Sequence, residues 1–207
     1  FRLLREAGLR SATISLDGLK ASHDWLRGRE GSFERAVSAV KLLVAEPGMV
    51  CDVVTCVNQR NLAELDEIRD FLIEMGVKRW RIFMIDPIGR AAVNPELMLK
   101  NDQYRYVMDF ILRTRAEGRI KASTGCDGFL GDYEGLVRDG VFFCRAGIHV
   151  GSVLANGDIG ACPNIDRGFV QGNIYKDDFL DVWDNRFKEY RDRTPFKTGM
   201  CKDCDLW

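Results

Sequence analysis

The chain has 207 residues, 46% of them hydrophobic and 29% charged, which suits one large domain or one domain plus a small module. Lys and Arg total 30 against 31 Asp and Glu, so no charge excess points to nucleic acid or an anionic membrane as partner. No apolar run approaches the ~18 residues of a spanning helix, and no secretory signal is visible. The first stretch, FRLLREAG (1–8), reads as the last turns of a helix closed by Gly8. A helix end without its start suggests a piece of a longer protein.

From residue 11 to residue 117 the pattern alternates strand and helix. SATISL (11–16) alternates its side chains and is rich in β-formers. Ser32 is placed to cap a helix carrying Phe33, Ala36, Val37, Val40, Leu43 and Val44 at helical spacing. CDVVTCV (51–57) is a short apolar run of the kind found in buried parallel strands. Asn61 and Glu64 have the spacing of a capping box ahead of Leu62, Leu65, Ile68, Leu72 and Met75, and Gly76 ends that helix. RWRIFMI (79–85) is a third strand, broken by DPIGR (86–90), and a further helix runs from about Asn101 to Glu117. Such alternation implies an α/β fold with a parallel sheet and outer helices. Three strands cannot close a barrel, so the expectation is part of one. Function in these folds gathers at the carboxyl ends of strands, which selects Ser15 to Asp17, Asn58 and Asp86 to Arg90.

After residue 118 glycines become frequent and five of the seven cysteines follow. VGSVLANGDIGAC (150–162) reads as a hairpin turning at Asn156-Gly157. GNI (172–174) leads into one helix bearing Phe179, Leu180, Trp183, Phe187 and Tyr190. The expected division is 1–118 and 119–207, the second part being organised by metal rather than by a large core.

The odd count of cysteines argues against a secreted disulfide framework and for thiol ligands in a cytoplasmic protein. Cys144 and Cys162 flank the hairpin, and Cys201 and Cys204 form a Cys-x-x-Cys turn. Thiolates so spaced suit zinc or iron–sulfur clusters. Spacing alone leaves three readings open: a four-cysteine zinc knuckle stabilising a binding or scaffold module, iron–sulfur ligation, or thiols without metal.

Cys144, twelve residues, Gly157, four residues, Cys162, then GNI, an aromatic helix with VW and YR, and Cys201-x-x-Cys204 together resemble the SPASM module of radical S-adenosylmethionine enzymes. ISLDG (14–18) followed by HDWLRG (23–28) is similar to the fourth strand and following loop of that family's barrel. TCVNQRN (55–61) and IDPIGRA (85–91) resemble the ends of its fifth and sixth strands. The resemblance implies strands four to six of a partial (β/α)6 barrel followed by a truncated SPASM module. The Cys-x3-Cys-x2-Cys loop of the catalytic cluster and the Gly-Gly-Glu segment that the family carries do not occur in this sequence.

Carried over residue by residue, the resemblance gives Ser15 the cofactor's ribose and Arg27 its methionyl carboxylate. Asn58 becomes a polar contact, and Ile85 to Ile88 flank the adenine. Asp17 orients the strand-end turn. Cys144 and Cys162, with Cys126 upstream, would ligate a first auxiliary [4Fe–4S] cluster, and Cys201 and Cys204 a second. Cys51 and Cys56 are expected to be core thiols, and His23 and His149 structural. Pro163 stands where some members place a proton-accepting Asp, leaving Asp166 or Asp127 as substitutes. The implied activity is cleavage of S-adenosylmethionine to a 5′-deoxyadenosyl radical that takes hydrogen from a peptide or protein side chain. A flavodoxin or ferredoxin would supply electrons.

Overall fold

The computed structural model describes residues 1–126 and 128–204. The chain divides into two compact units, residues 1–142 and residues 143 onward. In the first, α1 (Arg2–Glu6) leads to β1 (Ser11–Ser15), α2 (Lys20–Arg27), α3 (Ser32–Ala45), β2 (Val50–Val57) and α4 (Leu65–Glu74). Then come β3 (Arg79–Met84), α5 (Asn101–Glu117) and β4 (Lys121–Thr124). The strands form one sheet in the order β1-β2-β3-β4, every pair parallel. Chain order equals sheet order, as successive strand–helix–strand crossovers of one hand require.

The register aligns Ile14, Val53, Trp80 and Ala122 in one row across the strands. Val53, Trp80 and Ala122 are fully buried, packed in one core with Val40 of α3, Leu65, Ile68 and Leu72 of α4, and Phe110 and Ile111 of α5. Trp80 Nε1 donates to Thr55 Oγ1 at 2.8 Å, and its ring meets Phe110 edge-on at 5.7 Å. The neighbouring row is Ser15, Val54, Arg81 and Ser123. Successive residues of a strand face opposite sides, so this row lies on the face away from that core. There Arg81 Nε donates to Asp52 Oδ2 at 2.6 Å and Nη2 to Thr13 Oγ1 at 3.2 Å. Parallel sheets ordinarily bury both faces behind helices. Here one face is apolar and packed, and the other is polar and half-exposed.

Several sequence expectations shift in detail. The boundary after residue 118 falls too early: β4 pairs with β3, and Val137 sits in the first core. KAST was not legible as a strand, being short and set among glycines. Ser32 opens α3 as its first residue, but Gly31 at φ +75° is the N-cap. The Asn61–Glu64 capping box is absent. A 3-10 turn (Leu62–Glu64) precedes α4, and both side chains are spent on other segments.

In the second unit β5 (Ser152–Val153), β6 (Asp158–Gly160) and β7 (Gly172–Asn173) form an antiparallel sheet, followed by α6 (Phe179–Asn185) and α7 (Lys188–Arg191). The hairpin is present, but its turn runs from Leu154 to Gly157, whose N–H donates to the Leu154 carbonyl at 2.8 Å. Gly157 takes φ +85°, and a Cβ there would stand 2.5 Å from the Tyr175 ring. Asn156 keeps a negative φ, so this is not the two-residue turn expected of Asn-Gly. Asn173 of the GNI stretch ties the loop down, its Nδ2 donating to the Asn156 carbonyl at 3.2 Å and to Asp158 Oδ1 at 3.0 Å. The expected single aromatic helix is two, interrupted between Asn185 and Lys188.

Candidate functional site

The carboxyl ends of β1 and β2 are joined by a buried polar network centred on Asp17, itself fully buried. Its Oδ1 accepts the Cys56 N–H at 2.8 Å, and its own N–H donates to His23 Nδ1 at 3.0 Å. Its carbonyl accepts Asn61 Nδ2 at 2.7 Å, and Asn61 Nδ2 also reaches the Cys56 carbonyl at 2.9 Å. Glu64 accepts the Leu19 N–H at 2.9 Å and the Ser22 hydroxyl, closing the start of α2 from outside. Gly18 lies beneath Glu64 and Ser22 at φ +141°, where a Cβ would come within 2.8 Å of Glu64 Oε2. Two stretches far apart in sequence, 17–23 and 56–64, are thereby tied into one loop structure.

Arg27, in the last turn of α2, ion-pairs with Asp17 Oδ2 and leaves 38% of its side chain exposed. A buried carboxylate thus holds a guanidinium at the carboxyl edge of the sheet, with donors left for an incoming anion. Ser15 ends β1, half-buried, and its hydroxyl has no partner among the described residues. Ile85 follows β3, half-buried on the same edge. Asn58 is 1% exposed and already used: Oδ1 accepts the Arg60 N–H at 2.9 Å and Nδ2 donates to the Cys56 carbonyl at 3.3 Å. Its observed work is to shape the turn after β2. Gly89 opens a 3-10 turn (Gly89–Val93), and Arg90 is exposed within it. His23 is a core residue, and burial holds its imidazole below the usual range, Asp17 opposing and Arg27 assisting. A polar hollow lined by Ser11, Thr13, Asp52, Arg79 and Asp139 lies at the amino ends of the strands, the opposite end from this network.

None of the seven cysteines forms a disulfide. Cys51 is buried in the sheet core, and burial, with Asp52 adding, pushes its thiol up to about 11. Cys56 is half-buried on the other side of β2. Cys126 follows β4 and is exposed in the first unit, in a segment anchored by Arg138, whose Nη1 and Nη2 donate to the Gly125 and Gly128 carbonyls at 3.0 and 2.7 Å. Asp127 lies outside the described residues. Asp166 accepts the Gly168 N–H at 2.8 Å to close a turn, and His149 is exposed and outside any strand.

Cys144, Cys162, Cys201 and Cys204 all belong to the second unit. Cys162 follows β6 and packs against that unit's core. Cys201 ends a 3-10 turn (Gly199–Cys201), and its carbonyl accepts the Cys204 N–H at 3.4 Å, the turn expected of Cys-x-x-Cys. Among the described residues no three His, Cys, Asp or Glu side chains converge to hold a metal ion.

One side chain missed as functional stands beside the first pair. Tyr190 Oη is buried and has no hydrogen-bond partner among the described residues. Burial raises its phenol above the usual range, and the negative charge of Glu189, Cys144 and Cys162 adds to this. An unsatisfied buried hydroxyl costs about 1–3 kcal/mol. A sulfur-rich acceptor between Cys144 and Cys162 would remove that cost, so the residues present fit an iron–sulfur group. The aromatic spacing of 179–190 could have singled out Tyr190, but only its surroundings separate it from a packing residue.

Residues 144–205 match the SPASM family, described as an iron–sulfur cluster-binding domain. The chain is 33% identical over 201 residues to mycofactocin maturase MftC of Mycobacterium tuberculosis, covering 92% of this chain and 49% of that protein. It is 25% identical over 224 residues to AdoMet-dependent heme synthase of Methanosarcina barkeri, covering 98% of this chain and 61% of that protein. The fold resembles that of Streptococcus suis SuiB bound to S-adenosylmethionine, with TM-score 0.57 and 21% identity over 94% of this chain and 48% of that one. The chain spans about half to three-fifths of the length of these relatives.

Proposed function

We propose, for a chain that belongs among the radical S-adenosylmethionine enzymes with a SPASM domain, that the whole protein is a peptide-modifying maturase. The observation that carries this reading is the 33% identity to a maturase over 92% of the chain. When bound, the auxiliary clusters supply electron transfer or substrate ligation. The chain's own residues bind and orient. Arg27, fixed by Asp17, pairs the methionyl carboxylate of S-adenosylmethionine through its guanidinium fork. Ser15 offers its unpartnered hydroxyl to the ribose, and Ile85 flanks the adenine. Asn58 contributes by shaping the loop after β2, its Oδ1 accepting the Arg60 N–H and its Nδ2 donating to the Cys56 carbonyl. Cys144 and Cys162 serve one auxiliary [4Fe–4S] cluster, and Cys201 and Cys204 another. A small redox protein of the flavodoxin or ferredoxin kind delivers electrons. Among the described residues no helix is long and apolar enough to cross a membrane.

A second reading is favoured by the match to heme synthase over 98% of the chain: a tetrapyrrole in place of the peptide. One experiment separates these readings from the zinc scaffold. The full-length protein is purified without oxygen, its iron, sulfide and zinc are measured, and 5′-deoxyadenosine release is followed with a precursor peptide or a tetrapyrrole added. The maturase reading expects iron and sulfide in excess of one cluster, and release coupled to a mass loss in the peptide. Coupling to the tetrapyrrole alone replaces it, and about one zinc per chain without iron rejects both. Arg27→Ala should weaken S-adenosylmethionine binding ~10- to 150-fold, the loss of a charged hydrogen-bonded pair. Unchanged affinity removes Arg27 from the site.

A further inference from the structure

We infer that Tyr190 donates a hydrogen bond from its phenol to the sulfur shell of the cluster ligated by Cys144 and Cys162, and so sets that cluster's reduction potential. The inference rests on the auxiliary-cluster reading above and assigns a tuning group within it.

Three observations place Tyr190 there. First, its ring is clamped. Gly147, three residues after Cys144, lies beneath it at φ +69°, where a Cβ would come 2.5 Å from Tyr190 Cβ and Cγ. Phe187 packs beside it at 5.7 Å between ring centres. The loop bearing Cys144 is closed tightly, the Arg145 carbonyl accepting from Ile148, His149 and Val150. Second, Cys162 and Tyr190 pack against the same small core of Ala146, Ile159, Ala161, Val182 and Phe187. The hairpin cysteine and the phenol ring thus border one core, and the Cys144 loop meets the base of that ring at Gly147. Third, the hydroxyl is buried without a hydrogen-bond partner among the described residues, while its polar neighbours in sequence are committed elsewhere. Glu189 Oε1 accepts Gln171 Nε2 at 2.9 Å, and Arg191 Nε donates to the Gly147 carbonyl at 3.0 Å. A phenol donor aimed into a purely apolar pocket would be costly and purposeless. Beside two thiolates and bridging sulfide it has an acceptor.

A hydrogen bond to cluster sulfur withdraws negative charge and favours the reduced state, which is how hydrogen bonding tunes these potentials. Tyr190→Phe removes the donor and keeps the ring. In the full-length, anaerobically loaded protein, a potentiometric titration followed by electron paramagnetic resonance should then show one cluster moving to lower potential. The expected size is roughly tenfold in the reduced-to-oxidised ratio at fixed potential, about 59 mV for one electron. The other clusters should stay in place. Iron and sulfide are counted first, and a protein without clusters overturns both this inference and the reading beneath it. Clusters present with all midpoints unchanged overturn the Tyr190 role alone. Should Tyr190→Phe fail to fold, the wild-type protein answers: pulsed resonance in H2O and D2O should detect an exchangeable proton coupled to that cluster, quenched when the buffer is exchanged. No such coupling overturns the assignment.

Discussion

The two units solve the problem of stability in opposite ways. The first buries a continuous apolar core built from one face of a parallel sheet and three helices, including Leu16, Val53, Trp80, Phe110 and Ile111 at 0% exposure. Among the described residues, the buried core of the second is Ala146, Ile159, Ala161, Val182 and Phe187. Five residues cannot offset the conformational entropy of ordering so many others. The strands there are two or three residues long. A core of the first size suits a sheet that stands on burial, whereas so small a second core is typical of units held by metal bonds.

The strongest way to break that comparison is to remove the clusters. Stripping iron from the full-length protein should let the amides of β5 to β7 exchange rapidly while β1 to β4 stay protected, as read by hydrogen exchange. Equal protection with and without iron would show that the second unit stands on its own core. Next, Trp80→Ala should destabilise the sheet by about 3–5 kcal/mol in urea titration, through lost burial and the cavity left behind. Phe187→Ala should instead lower iron content per chain and leave the sheet's unfolding midpoint in place.

A smaller effect is expected from His23. Its imidazole is held low chiefly by burial, and its Nδ1 accepts the Asp17 N–H, so the folded state keeps it neutral. The unfolded chain takes up the proton near pH ~6.5. This contribution is therefore present above that value and lost as pH falls below it. The urea midpoint of the sheet should drop between pH 7.5 and 5.5, and His23→Gln should flatten the dependence. The smallest effect is kinetic. Cys51, with its thiol near 11, should resist alkylation at pH 8 in iron-stripped protein, while exposed Cys144 and Cys201 are labelled within minutes. Labelling of Cys51 at their rate would mean that the sheet core opens.

Much was legible along the chain because local signals and tertiary demands agreed there. Gly76 closed its helix as read, at positive φ, and the runs at 11–15, 50–57 and 79–84 are strands in the parallel sheet. Where a residue serves a distant segment, the local reading failed. Asn61 and Glu64 have capping-box spacing, yet they bind the Asp17 carbonyl and the start of α2.

The sequence by itself determined the alternation of strand and helix, the cysteine spacing and the hairpin, because periodicity and spacing are properties of neighbours along the chain. The tertiary structure decided which carboxylate holds Arg27, that β4 belongs to the sheet, that the Tyr190 ring packs on the Cys144 loop, and that its hydroxyl is buried without a partner among the described residues. Each of these depends on residues far apart in sequence meeting across a packed interior, where the cost of an unpaired polar group selects its neighbours.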